Sequence, residues 1–187
     1  MKIFDLPIET DRLRLRRVRH DDFDALFPIH SDPDVCRYLP YEPRDEAGMK
    51  EALNKRVALA ELEPGGDALF LAVELKETGE VIGEVLLFYL NEEARQGEVG
   101  YVFSPEFQGK GYAYEATNAF MDVCFDAFNL HRICARCSAA NDASWRLMEK
   151  LNMRREADLR EHGLFKGEWD HMYIYAILED EWRAHRS

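Results

Sequence analysis

Between Glu98 and Asn129 the hydrophobic repeat changes from every second residue to every third or fourth, and the change falls on Gln108-Gly109-Lys110-Gly111-Tyr112-Ala113. Upstream, Glu98 to Ser104 reads as a strand closed by Pro105, with Val99, Tyr101 and Phe103 on one face and Gly100 and Val102 on the other. Downstream, Tyr112, Ala116, Ala119, Phe120, Val123 and Ala127 trace one face of a helix that ends near Asn129. A strand that enters a helix through glycines leaves the first helical N–H groups unpaired where no side chain blocks an approaching phosphate. The pattern therefore suits a pyrophosphate-binding turn, to which Lys110 adds positive charge. A dinucleotide motif would need a third glycine and an acidic partner, and a P-loop would need Gly-x-x-x-x-Gly-Lys-Ser/Thr; the sequence has neither.

A second strand-to-helix block follows about thirty residues later. Ile133 to Ser138 has strand character, and Asn141 opens a helix with Ala143, Leu147, Met148 and Leu151 on one face. Asn152 closes it, since Asn tolerates the left-handed backbone that a helix end often requires.

The two blocks together resemble the GCN5-related N-acetyltransferases. In that family a Gln/Arg-x-x-Gly-x-Gly/Ala turn binds acetyl-CoA, and Gln108, Gly111 and Ala113 match it. The resemblance runs from Glu9-Thr10-Asp11-Arg12-Leu13-Arg14-Leu15-Arg16 to Glu181-Trp182 and is nearest to the RimJ/RimL-like branch, whose acceptors include ribosomal-protein N-termini and small amines. It implies a mixed α/β (α+β) fold: a twisted, largely antiparallel sheet with a central splay, flanked by helices. Acetyl-CoA lies in that splay in the family. The resemblance assigns it to the backbone of Val102 and Phe103, to the turn Gln108, Gly109, Lys110, Gly111, Tyr112 and Ala113, and to the Asn141 side chain on the pantetheine arm. A homodimer is also implied.

The rest of the chain agrees with one such domain over residues 1–187. Leu13 and Leu15 mark a short strand, and Asp21 to Ser31 and Arg44 to Glu61 read as helices before Pro64-Gly65-Gly66. Ala68 to Leu75 and Val81 to Leu90 read as an antiparallel hairpin, and Asn91 to Gly97 as a polar turn into the strand before the phosphate turn. Arg154 to Leu159 and His171 to Leu178 form a last strand pair around a loop from Arg160 to Asp170.

At 187 residues, 47% of them hydrophobic, the chain is long enough for one buried core and short for two. No apolar run approaches a membrane span and the first residues lack a secretion signal, so the expected location is cytoplasmic. Cys36, Cys124, Cys134 and Cys137 form no disulfide framework. Cys134 and Cys137, three apart on a strand, point to opposite sides and do not share a zinc or redox site. The net charge of −12 argues against a nucleic-acid surface and suits a cationic partner.

Amine acetylation by an activated thioester requires a neutral amine. A lysine-like amine is only roughly 0.04% neutral at pH 7, which costs about 4.6 kcal/mol, whereas an α-amine with a pKa near 8 costs about 1.4. Two glutamates are candidate general bases. Glu98 starts the strand feeding the phosphate turn and matches a glutamate used by several family members; Glu84 interrupts the apolar strand Val81 to Leu90. Many relatives place a tyrosine seven residues after the conserved Asn to protonate the departing thiolate, but that position here is Met148. Ser144, which matches a serine of RimL-like sequences, is the remaining hydrogen-bond donor. The expected acceptor pocket lies between the early helices and the loop Arg160 to Asp170, with Glu42, Asp45, Glu46, Glu161, Glu168 and Asp170 to receive an ammonium, and Tyr38, Tyr41, Phe165 and Trp169 to shape it. No metal is required. The expected activity is acetyl-CoA-dependent N-acetylation of a protein or peptide α-amine, with a small-molecule amine acceptor or a non-catalytic acyl-CoA-binding module as alternatives.

Overall fold

The computed structural model describes residues 6–59 and 62–186. Its strands are β1 (Ile8–Glu9), β2 (Leu13–Arg17), β3 (Leu69–Leu75), β4 (Val81–Asn91), β5 (Gln96–Phe103), β6 (Arg132–Ser138), β7 (Arg154–Phe165) and β8 (Glu168–Leu178). Its α-helices are α1 (Phe23–Ser31), α2 (Pro33–Cys36), α3 (Glu46–Ala58), α4 (Tyr112–Ala127), α5 (Asp142–Lys150) and α6 (Glu179–Ala184). The strands make one sheet in the order β1-β2-β3-β4-β5-β6-β8-β7. Neighbours are antiparallel except β5 and β6, which are parallel. The mixed, largely antiparallel architecture expected from the sequence is the one observed.

Strand alternation divides the core. Leu71 and Val73 of β3, Val85 and Leu87 of β4 and Val99 of β5 join Phe120, Met121, Phe125 and Tyr175 in one cluster, on the side of α4, α5 and α6. Ala72 and Val102, one residue out of phase, join Leu26, Ile29, Met49 and Leu53 of α1 and α3 on the other side. Each face is thus sealed by helices whose apolar stripe repeats at three and four residues. Gly83 lets β4 run close to the end of β5: a Cβ there would sit 2.4 Å from the Val102 carbonyl oxygen and 2.7 Å from the Phe103 ring.

Local chemistry sets the helix ends. Asp45 caps α3 by accepting from the Gly48 N–H, and Asn152 takes a left-handed φ of 60° after α5, as its residue type predicts. Asn129 does the same after α4, at φ 50°. The expected helix from Asp21 divides into a 3₁₀ turn, His20–Asp22, and α1. The expected helix from Arg44 runs as Glu46–Ala58, and its predicted end, Glu61, lies outside the described residues. β1 and α2 were not foreseen, being two and four residues long.

Three expectations are corrected. The buried face of α4 is Ala116, Thr117, Phe120, Met121, Cys124 and Phe125, so the stripe is turned away from Ala119, Val123 and Ala127. Phe120, Met121, Cys124 and Phe125 took the core, and Ala119, Val123 and Ala127 were left at its margin. β5 begins at Gln96, so the polar turn from Asn91 is shorter and closes on Arg95 at φ 50°. The loop from Arg160 to Asp170 is a hairpin: β7 and β8 continue to a two-residue turn, Lys166-Gly167, with φ of 50° and 84°. β7 is an edge strand exposed along most of its length, which is why its charged residues do not alternate with apolar ones. Cys137 packs in the α4 cluster while Cys134 lines the opposite face, as three-residue spacing on a strand requires. No helix among the described residues is long and apolar enough to cross a membrane.

Candidate active site

β5 and β6 pair only at Gln96 with Arg132, Gly97 with Ile133 and Glu98 with Cys134. Beyond that they part, and the gap becomes a cleft of about 510 Å³. Tyr101, Val102 and Phe103 of β5 form one side; Phe107, Gln108, Gly109, Gly111, Tyr112, Ala113 and Tyr114 form the end toward α4. Asn141, Ala143, Ser144, Arg146, Leu147 and Lys150 of α5 and its cap form the third side, and Asp34, Val35, Tyr38 and Leu39 the fourth. The cofactor residues expected from the sequence are therefore brought together, except Lys110. That side chain lies outside the lining, with its ammonium 5.1 Å from the Phe107 ring centre.

The glycine turn leaves backbone donors open. Gly109 and Gly111 have φ of 73° and 84°, a region that costs a side-chain-bearing residue about 1–2 kcal/mol. Gly111 is the N-cap of α4 and supplies no side-chain cap, so the first-turn N–H groups are left for a ligand. Gln108 folds back, its amide donating to the Phe103 carbonyl at 3.0 Å, which ties the turn to the end of β5. Arg12 holds the turn from outside. Its guanidinium lies 4.4 Å from the Tyr112 ring centre, donates to the Lys110 carbonyl at 3.2 Å and pairs with Glu115 at 2.6 Å. Burial alone would raise the Glu115 carboxyl; hydrogen bonds from Thr10 and from the Arg12 backbone and side chain outweigh it and hold the group below its ordinary value. Arg12 carries no local motif, and only the tertiary fold brings it to a turn about a hundred residues away.

Asn141 caps α5 by accepting from the Ser144 N–H at 3.2 Å. Ser144 is in turn tied to β5: the Tyr101 hydroxyl lies 3.0 Å from both the Ser144 carbonyl and Oγ. Burial raises the Tyr101 phenol well above its ordinary value, so it keeps its proton. Burial likewise pushes the Cys137 thiol up to about 11, although a hydrogen bond from Ser144 opposes the shift. The side chain at Met148 is buried in the core. A phenol is thus held against Ser144 from β5, a contact invisible to a motif read along one helix.

The two glutamates stand apart from the cleft lining. Glu98 sits where β5 and β6 still pair, in a shallow depression with Leu90, Gln96, Arg132, Cys134, Arg136 and Ile174. Arg136 grips both its oxygens, at 3.0 and 2.8 Å. Glu84 is 1% exposed and lies opposite Val102 across the β4–β5 ladder. Its carboxylate accepts from Arg56 Nη1 at 2.7 Å to each oxygen and contacts His30 Nε2 at 2.7 Å.

The fourth wall departs from expectation. Of the acidic and aromatic residues named for the acceptor pocket, Tyr38 lines the cleft, and its hydroxyl donates across the opening to the Ala140 carbonyl at 3.1 Å. Asp34 is the carboxylate in the lining, paired with Arg37 at 3.0 Å. Glu42, Asp45, Glu46, Glu161, Glu168 and Asp170 are not part of it, and Trp169 is 66% exposed on the hairpin. Straightening of the expected loop into a hairpin carried Glu161, Glu168, Trp169 and Asp170 out along the strands, while Asp45 caps α3 and Glu46 begins it.

Parted parallel strands ending at an uncapped glycine turn, with a hydroxyl and a carboxamide on the facing helix, make a cleft suited to an extended anionic cofactor. Residues 12–154 match the family model described as the acetyltransferase (GNAT) domain, and the chain belongs to that family. It is 36% identical over 178 residues to the uncharacterized N-acetyltransferase YnaD of Bacillus subtilis (strain 168), covering 95% of this chain and 99% of that one. It is 25% identical over 176 residues to the spermidine N(1)-acetyltransferase of Vibrio cholerae serotype O1, covering 92% and 96%. Among solved structures, an acetyltransferase (GNAT family) from Bacillus anthracis superposes with a TM-score of 0.84 at 33% identity, covering 94% of this chain and all of that one. The protein is an acyltransferase enzyme.

Proposed function

We propose that the protein acetylates the α-amine of a peptide or protein N-terminus, using acetyl-CoA bound in the β5–β6 cleft as a single RimJ/RimL-like domain. The observation that carries the choice of acceptor is the engagement of both candidate bases. Glu98 is held by Arg136 and Glu84 by Arg56 and His30, so either takes a proton only by surrendering charge-assisted hydrogen bonds. A site offering so little help in deprotonation favours an acceptor whose neutral form costs about 1.4 kcal/mol over one that costs about 4.6.

In this reading Gly109, Gly111 and the first turn of α4 receive the pyrophosphate, and the strand backbone at Val102 and Phe103 aligns the pantetheine arm. The Asn141 carbonyl is committed to its cap, so recognition of that arm falls to its amide N–H groups. Bound acetyl-CoA supplies the activated acyl group. Glu98, through water, is the proton acceptor that lies on β5 itself, with Glu84 as the alternative. Tyr101 has one proton and two acceptors in reach, the Ser144 carbonyl and Oγ; when it turns to Oγ, the serine proton turns away from Tyr101 and Cys137 and stabilises a departing thiolate. Ser144→Ala is then expected to lower kcat about tenfold with little change in the acetyl-CoA KM, since a hydrogen bond to a charged group contributes about 1.5–3 kcal/mol. Unchanged kcat removes Ser144 from the chemistry.

A second reading, a polyamine acceptor, is favoured by the likeness to a spermidine N(1)-acetyltransferase and by Asp34 and Tyr38 on the fourth wall, a carboxylate and an aromatic suited to a cation. Release of CoA thiol from acetyl-CoA, measured with N-terminal peptides, lysine peptides and polyamines between pH 6.5 and 9, separates the two. Turnover of peptides with free α-amines at neutral pH supports the first reading; turnover confined to spermidine-like amines replaces it with the second. A cytoplasmic homodimer belongs to the same proposal and is tested by light scattering.

A further inference from the structure

His30 is a buried junction outside the cleft, and the wall that carries Asp34, Val35, Tyr38 and Leu39 hangs from it. The ring is 1% exposed. Its Nε2 meets Glu84 at 2.7 Å and its Nδ1 meets the Tyr41 hydroxyl at 2.7 Å. Its carbonyl accepts from the Arg44 N–H at 2.9 Å and from Cys36 Sγ at 3.2 Å. Cys36, Tyr41 and Arg44 all belong to the wall segment or its return, so one residue of α1 grips that segment at three points. Arg44 also lies 4.3 Å from the Tyr41 ring centre.

Donor counting fixes the polarity of this chain. Glu84, ion-paired with Arg56, is an acceptor; for a neutral imidazole it accepts the hydrogen bond from His30 Nε2–H, and Nδ1 accepts from the Tyr41 O–H. Arg56 Nη1 serves both Glu84 oxygens and lies 3.5 Å from His30 Nε2, and each link of the trio is buried or partly buried. Glu84 is cross-strand from Val102, which lines the cleft. The chain thus spans from the cofactor strand's neighbour, through α1, to the wall opposite. On the outer side, Lys166 at the tip of the β7–β8 hairpin donates to the Cys36 and Tyr41 carbonyls, both at 2.8 Å.

We propose that Glu84, His30 and Tyr41 form a positioning unit that sets the distance between the acceptor wall and the cofactor strand, and so governs acceptor binding without touching acetyl-CoA. This rests on the acetyl-transfer reading above. Tyr41 and His30 are not cleft-lining residues, and the unit acts through the wall rather than on the reacting atoms.

Tyr41→Phe keeps the ring beneath Arg44 and deletes the one hydroxyl that joins wall to junction. The expected result is a rise of about tenfold in the KM of the acceptor amine, with the acetyl-CoA KM and its calorimetric Kd within twofold of wild type. Equal rises in both constants, or a fall in melting temperature with neither constant changed, would mean that the trio only holds the fold together, and the proposal is overturned. If Tyr41→Phe does not fold, Lys166→Ala and Cys36→Ala loosen the same wall without altering the trio's side chains; the same split is expected, at smaller size, and its absence overturns the proposal as well. Wild-type protein that binds acetyl-CoA yet turns over no amine would refute the acetyl-transfer reading itself, a result told apart from these by the wild-type assay alone.

Discussion

Gly111→Asp should weaken acetyl-CoA binding by about 100-fold, because it sets a carboxylate where the pyrophosphate must sit. At roughly 5 Å and an effective dielectric of about 20, one unit of like charge opposes binding by about 3 kcal/mol, and 100-fold corresponds to about 2.7. Arg12 offsets part of this: its Nη2 is 3.4 Å from the position of a new Cβ, so the aspartate would compete with Glu115 for it. Gly111→Ala separates charge from backbone. It pays the same left-handed φ of 84°, about 1–2 kcal/mol of folding free energy, but makes only an ordinary contact with Arg12 and adds no charge. The expected pattern is a small drop in melting temperature for both variants and a large affinity loss for the aspartate alone, by calorimetry with CoA. Equal affinity losses would place the effect in the turn's shape. No loss in either would mean that the turn is not the phosphate site.

The conformation of the glycine turn was legible because its determinants are local. Positive φ at Gly109 and Gly111, the cap at Asn141 and the left-handed stop at Asn152 are each written in one residue type at one place. The β3–β4–β5 order followed from alternation for the same reason. What escaped was set by partners far away in sequence. The rotation of α4 onto Met121, Cys124 and Phe125 depends on which side chains the sheet offers, and small alanines count equally with larger residues in a periodicity. The continuation of β7 and β8 to Lys166-Gly167 was hidden by charge, since an edge strand in water needs no apolar face. Tyr101 was visible as a strand residue, but its contact with Ser144 crosses the splay, and Arg12 reaches its turn from the other end of the domain.

Glu84 and Glu98 were indistinguishable in kind from the sequence, and stability separates them. Glu84→Gln should lower stability by about 3–5 kcal/mol, because it leaves the Arg56 charge buried without its partner; for a chain of this size that is roughly 6–20 °C in melting temperature. Arg56 finds no other counter-charge close by: its further near neighbours are the Phe70 ring, 4.1 Å from the guanidinium carbon, and His30 Nε2, 3.5 Å from Nη1. Glu98→Gln breaks a pair whose arginine side chain is 51% exposed, and the expected cost is under about 1 kcal/mol. Its effect should instead appear in turnover at neutral pH and fade as pH rises and solution supplies free amine. The coupling at Glu84 can be measured directly. In a cycle with Arg56→Met, the double variant should be less destabilised than the sum of the singles, since removing both charges leaves no unpaired ion. A normal melting temperature in Glu84→Gln with turnover abolished would reverse the assignment, making Glu84 the proton acceptor and its arginine a partner it can release.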